Sequence, residues 1–368
     1  MIVITTISSQ LSKGVFSRKN FLEGGFLFVC MRWVVMSCLF LFLGGHHCGF
    51  ADGPQDDLSN LFWPAPPAEP RVFFVKNISG YKDMEIKKSV WGRFKDLMVG
   101  RKQFSFVRPM DVAVGREGVL YIADGGAAQV YIFDRTRKTF DRIDQIDQKI
   151  FLVSPVGIAA ADDGTIFIAD SHLGKVFAVS KQGKSFFTLG KEEGMIRPTD
   201  LFIRGGKLFV VDAAAANVSI FDLKGQLLAR FGKKGKENGE FNFPTHLYVD
   251  SENRIYVTDS LNFRIQIFDA TGAFLKSIGS AGDSSGHFSR PKGIAVDSHG
   301  HIYVADALFD NIQIFDLDEH FLMDFGEAGH QDGEFWLPTG VAIDEDDYIY
   351  VADSYNRRVS VYRYVGER

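Results

Sequence analysis

The chain has 368 residues, 46% apolar and 24% charged, a globular composition with enough apolar surface for a large core. The first 51 residues hold four basic side chains and one acidic one, which leaves 37 Lys/Arg against 45 Asp/Glu and a formal charge of −8 in the remainder. A body this acidic repels phosphate backbones, so nucleic acid is excluded as an expected partner. Cys30, Cys38 and Cys48 all precede residue 52, so the body has no disulfide, thiolate nucleophile or cysteine metal site.

The leader comes first. Arg32, the apolar run Trp33 to Leu43, and Gly49-Phe50-Ala51 before Asp52 have the order of a secretory signal, with cleavage expected after Ala51 and Met31 as an alternative start. A lipoprotein reading would use Cys48, but His46 and His47 stand where small residues are expected. An uncleaved anchor over residues 21–43 is the other alternative, although Glu23 and Arg32 interrupt it and the clean run is well short of the roughly 20 residues a span needs. The expected location is periplasmic or secreted. Residues 52–70, polar and then proline-rich, read as an extended spacer, and the folded domain is expected over 71–368.

Six segments then run from a proline to an aspartate closing a strand: Pro109 to Asp124, Pro155 to Asp170, Pro198 to Asp212, Pro244 to Asp259, Pro291 to Asp306 and Pro338 to Asp353. Successive prolines lie 46, 43, 46, 47 and 47 residues apart, a period of the propeller class. Each unit reads as four short strands, a to d, separated by turn pairs such as Asp163-Gly164 and His299-Gly300. Four antiparallel strands make one blade. The pattern P-x-G-[IV]-A-[VI]-D, then [IL]-[YF]-[VI]-[AVT]-D, then D-[SA]-x-N-x-R-[IV] resembles the NHL repeat family. That resemblance implies an all-β, six-bladed propeller. The sixth unit ends without a strand d, whereas "RVFFVKNIS" precedes the first, and Phe74 to Ile78 aligns with Phe274 to Ile278. The N-terminal strand is therefore expected to complete the last blade and close the ring.

Function in such a ring gathers at the channel mouth, where the d–a and b–c connections emerge. The six closing aspartates are expected to accept turn amides, a structural role, and Asn262, Arg264, Asn356 and Arg358 to order loops. Two residues after each proline stand Asp111, Gly157, Asp200, His246, Gly293 and Gly340. Asp111, Asp200 and His246 replace the usual glycine, and so are candidate ligand-binding residues, or ligands for a divalent cation such as Ca or Zn; the competing reading makes them solvated loop residues. The b–c loops "DGGAAQ" and "DAAAAN" would leave a shallow floor beside Asp111 and Asp200.

Among NHL-like propellers the enzymatic precedent is peptidyl-hydroxyglycine amidating lyase, whose zinc histidines directly follow the blade proline. The matching positions here are Met110, Val156, Thr199, Thr245, Lys292 and Thr339, so that site does not carry over. The other body histidines show no convergent spacing, His299 and His301 flank a turn, and no G-x-S-x-G elbow, P-loop or H-E-x-x-H helix is present. The insert over residues 81–105 contains Val90, Trp91, Phe94, Leu97 and Met98 at helical spacing with a basic rim that includes Arg93. As a d–a connection it would lie on the mouth face, as a lid with Trp91, Phe94 and Arg93 as ligand contacts, as side packing, or, over residues 86–99, as a membrane contact. The expected function is an exported binding or scaffold module that recognises a protein, peptide or small ligand. The alternative is a metal-assisted lyase or hydrolase.

Overall fold

The computed structural model describes residues 60–80, 83 and 105–366. The leader expected over 1–51, and the insert with Trp91, Arg93 and Phe94, lie outside the described residues. Six antiparallel sheets of four or five strands follow one another along the chain, with a two-stranded ribbon, Gln145–Ile146 paired with Ile150–Phe151, between the first and second blades. The innermost strands are Pro109–Val114, Pro155–Ala160, Pro198–Arg204, Pro244–Val249, Pro291–Val296 and Pro338–Ile343, each opened by the proline of its repeat. A proline fits there because the first residue of a strand can do without a ladder N–H. Next outward lie strands b, such as Ile302–Asp306, fully buried and apolar up to its closing aspartate because both faces meet a neighbouring blade.

The ring closes as the register of the repeats demands. Val72–Ile78 pairs with Arg358–Tyr364, aligning Ile78 with Val359 and Asn77 with Ser360. Phe274–Ile278 pairs with Arg264–Phe268 in the same way, Ile278 on Ile265 and Ser277 on Gln266. The N-terminal strand thus occupies the d position of blade 6. A further strand, Phe62–Trp63, adds to its outer edge within the segment expected to be a spacer. Trp63 packs against Phe325 and Tyr362, so it ties the segment to the seam between blades 5 and 6.

A residue three before each proline wedges between blades. Phe106, Leu152, Met195, Phe241, Phe288 and Phe335 are all buried, and Phe241 packs at a tilt against both Phe231 and Phe268. Gly232, at φ +89, lets the ring of Phe241 lie against the backbone: a Cβ there would collide with the aromatic edge. Among the described residues helix is confined to two 3-10 turns, Arg116–Gly118 and Ser260–Asn262.

Candidate functional site at the channel mouth

The closing aspartates build the mouth. Asp124, Asp170, Asp212, Asp259, Asp306 and Asp353 are fully buried. Asp124 accepts the amides of Val107 and Arg108 from the incoming connection and those of Gly126 and Ala127 from the b–c turn. Asp170, Asp212 and Asp306 repeat the arrangement. In blades 4 and 6 side chains join in, Asn262 and Arg264 on Asp259, and Asn356 and Arg358 on Asp353. These carboxylates are saturated, so the structural role read from the repeat holds.

Pinning those amides throws out the side chains of the two residues before each proline. The first of these positions carries Val107, Val153, Ile196 and Trp336, all exposed apolar residues, and the b–c loops add Leu261, Leu308 and Tyr355. Trp336 and Tyr355 stand with ring centroids 5.3 Å apart. The second position reads Arg108, Ser154, Arg197, Phe243, Arg290, Leu337, which places an arginine on every alternate blade around the mouth. Arg197 lies over the Phe243 ring at 5.4 Å. It also lines an open cavity of about 380 Å³ with Ser154, Ser171 and His172. The cavity is walled by these residues of blades 2 and 3; in the alanine loop after Asp212, Ala213 and Ala216 are buried and Ala214 is exposed.

Lys292, directly after its proline, sits half-buried inside this ring. Desolvation, together with the positive charges of Arg290 and Arg197, pushes its ammonium down to about 8. Among the described residues no carboxylate lies within ion-pair distance of Arg108, Arg197, Arg290 or Lys292. Sequence reasoning passed over this ring, although the signal is legible as a column of arginines immediately before alternate blade prolines.

Asp111, Asp200 and His246 are buried on the innermost strands, 5%, 5% and 8% exposed, and not solvated loop residues. Asp111 accepts the amide of Val112 and, across the blade boundary, that of Ile158 at 2.9 Å. Asp200 accepts those of Leu201 and, in blade 4, Leu247 at 2.8 Å. Room for each carboxyl comes from the glycine of the preceding blade: a Cβ on Gly157 would lie 2.7 Å from Asp200 Cα, and one on Gly340 would lie 2.7 Å from Asp111 Cα. Blades 1 and 3 are not neighbours, yet the charge of Asp111 acts on Asp200 through the ring. Burial raises both above the usual carboxylate range, and the charge of Asp111 raises Asp200 further.

His246 is neutral. Desolvation first, then the nearby Lys292 charge, lowers its imidazole to about 3. Its buried Nδ1 has no hydrogen-bond partner, nor does Thr245 Oγ1 beside it. Among the described residues the group of His and carboxylate side chains whose ligand atoms all lie within 4.8 Å of one another is Asp297, His299 and His301, at a different place in the fold; Asp111, Asp200 and His246 are not gathered in that way.

Residues 335–362 match the model of the NHL repeat, and residues 250–324 match the model of a family described as a 6-bladed beta-propeller. The chain is a six-bladed β-propeller with an NHL repeat at residues 335–362. Among curated proteins none matches it. Solved structures with the same fold include a catalytically inactive virginiamycin B lyase from Staphylococcus aureus with quinupristin, 12% identical over 70% of this chain and 95% of that one, with a TM-score of 0.52. Hydrazine synthase of Kuenenia stuttgartiensis is 11% identical over 73% and 98%, with a TM-score of 0.52. A structural genomics protein of unknown function from Bacteroides thetaiotaomicron is 14% identical over 70% of each chain, with a TM-score of 0.56. Identities this low carry the fold alone. As an NHL propeller the protein has the architecture of an interaction scaffold, and no helix among the described residues is long and apolar enough to cross a membrane.

Proposed function

We propose that this propeller is an exported recognition module whose channel mouth binds an acidic segment of a protein or peptide. The observation that carries the reading is the mouth itself: Arg108, Arg197 and Arg290 on alternate blades around Lys292, without carboxylate partners among the described residues. In a body with a formal charge of −8, a cationic ring that depresses its own lysine is an electrostatic cost. An anion bound between the arginines relieves it, and guanidinium groups pair with carboxylates in bidentate fashion. The apolar rim of Val107, Val153, Ile196, Trp336 and Tyr355 supplies desolvated contact area around that polar centre. Export rests on the order of basic, apolar and small residues in positions 1–51.

Hydrogen exchange measured with and without an acidic, aromatic-containing peptide tests the location. Protection should concentrate in the connections before Pro155, Pro198, Pro291 and Pro338, with the outer strands unchanged. Protection confined to the outer strands, or none at all, would refute the reading.

A second reading, a metal-assisted lyase or hydrolase, is favoured by one feature, the buried carboxyl groups of Asp111 and Asp200 on innermost strands of the same ring as the unpartnered Nδ1 of His246. Metal analysis of the purified protein beside Asp111→Ala and His246→Ala separates the two. Stoichiometric metal lost in both variants favours the enzyme; equal metal content in all three proteins removes it.

A further inference from the structure

The opposite end of the ring, where strand a turns into strand b, holds a second constellation. In blade 4 the turn carboxylate Asp250 accepts from Arg254 at 2.6 Å and from the Tyr256 hydroxyl at 3.0 Å. In blade 6 Asp344 takes the Tyr350 hydroxyl at 2.9 Å and faces Arg135, which reaches across the seam from blade 1. Blade 5 keeps the carboxylate and the tyrosine, Asp297 with Tyr303 at 3.0 Å, but puts His301 where blade 4 has Arg254. It also places His299 two residues earlier. Gly300 lies between them at φ +87, a left-handed turn conformation that glycine adopts without strain, and its amide closes the turn onto Asp297.

The turn brings both imidazoles to one side. Their rings are nearly parallel, 11° apart with centroids 5.8 Å from each other, and the edge of Tyr364 buttresses both, at 5.3 and 5.1 Å. Asp297 is held rigidly: beyond the tyrosine, the amides of His299 and His301 donate to it at 2.9 and 2.8 Å. One ligand atom from each of Asp297, His299 and His301 lies within 4.8 Å of the other two. A second carboxylate, Asp347 of the blade 6 turn, stands 3.6 Å from His299 Nδ1 and is anchored by the Ser298 amide and hydroxyl.

We propose that Asp297, His299 and His301 form a binding site for a zinc-like divalent cation. Two imidazoles and one carboxylate suit a borderline-soft ion; calcium and magnesium demand more oxygen ligands than the cluster offers. Zinc keeps its ligand atoms about 3.3 Å apart, given bonds of about 2.0 to 2.1 Å and tetrahedral angles. The hydrogen bond between His301 Nδ1 and Asp297 Oδ2, at 2.8 Å, opens to that distance as its proton is released to solvent, and rotation of the half-exposed His299 ring brings in the third ligand atom. The hydrogen bond from Tyr303 orients the ligating carboxylate, and Asp347 supports His299 from behind, the outer-shell arrangement that metal sites use. With three protein ligands, one position stays open to water or to a donor from another molecule. The cation would clip the blade 5 turn beside the end of the last strand, at Tyr364.

The test is titration of the metal-free full chain with zinc chloride against a chromophoric chelator, with a thermal melt at each point. Wild type should take up one equivalent and melt higher when loaded. His299→Ala should lose at least about tenfold in affinity, since one of three ligands is gone. His301→Arg is the discriminating variant: it restores the carboxylate–guanidinium pair that blade 4 uses, so it should fold with an unchanged metal-free melting point yet bind no zinc. His320→Ala, an exposed imidazole paired with Asp316 outside the cluster, should bind as wild type does. Wild type without zinc uptake at micromolar concentration, or His301→Arg that retains it, would overturn the proposal.

Discussion

Buried carboxylates do different jobs in this ring, and their partners decide which. Asp353 receives Trp336, Asn356 and Arg358 while fully buried. Replacing it with alanine strands the guanidinium of Arg358, itself 7% exposed, so Asp353→Ala should cost about 3 to 5 kcal/mol in urea unfolding. Asp111 and Asp200 behave otherwise, because burial holds their folded-state pKa above the unfolded value near 3.9. The folded protein then holds a proton that the unfolded chain releases, so the pair's contribution is complete at low pH and lost as pH rises through the folded values. His246 has the opposite sign: its lowered pKa gives stability above the unfolded value near 6.5 that is lost on acidification. Denaturation midpoints from pH 5 to 8 should therefore show Asp111→Ala losing most at pH 5 and least at pH 8. His246→Phe should shrink the loss of stability below pH 6.5. The sequence marked Asp111, Asp200 and His246 as departures from glycine, but it did not show that each aspartate spends its second oxygen on an amide 47 residues away. That contact exists only once blades are side by side.

At the scale of elements, closure was the most legible feature and its extension the least. The alignment of Phe74 to Ile78 with Phe274 to Ile278 predicts the register of the shared blade, and the structure shows the same pairing. Phe62–Trp63 escaped because two residues inside a proline-rich run carry no periodicity, and only the pocket between Phe325, Tyr362 and Gly333 gives Trp63 a reason to stay. Trp63→Ala should destabilise by about 2 kcal/mol, a partly buried aromatic lost from an edge strand. Deletion of residues 71–79 should instead abolish cooperative unfolding, because it exposes the ladder of Arg358–Tyr364 and opens the ring. Circular dichroism melts of the two variants check both outcomes. The histidine pair at the blade 5 turn was readable as residues but not as a group, since its convergence depends on the conformation of Gly300 and on Tyr364 arriving from the far end of the chain.

For the whole molecule, six saturated aspartates fix a frame whose mouth carries what the frame does not need. Of the arginines before alternate prolines, Arg197 and Arg290 repel Lys292, and that repulsion runs against stability. That arrangement accounts for a recognition surface better than for a scaffold alone. Because the attraction is between charges at the protein surface, it should weaken as salt shortens the Debye length from about 10 Å at 0.1 M to about 3 Å at 1 M. The most direct measurement is fluorescence anisotropy of a labelled acidic peptide with an aromatic residue, titrated with wild type and with the Arg108→Ala/Arg197→Ala/Arg290→Ala triple variant. The triple variant should bind at least about 30-fold more weakly, roughly 2 kcal/mol, with a flattened salt dependence and an unchanged melting point. Equal affinity of the two proteins, or equal binding of a lysine-rich counterpart by wild type, would contradict the account.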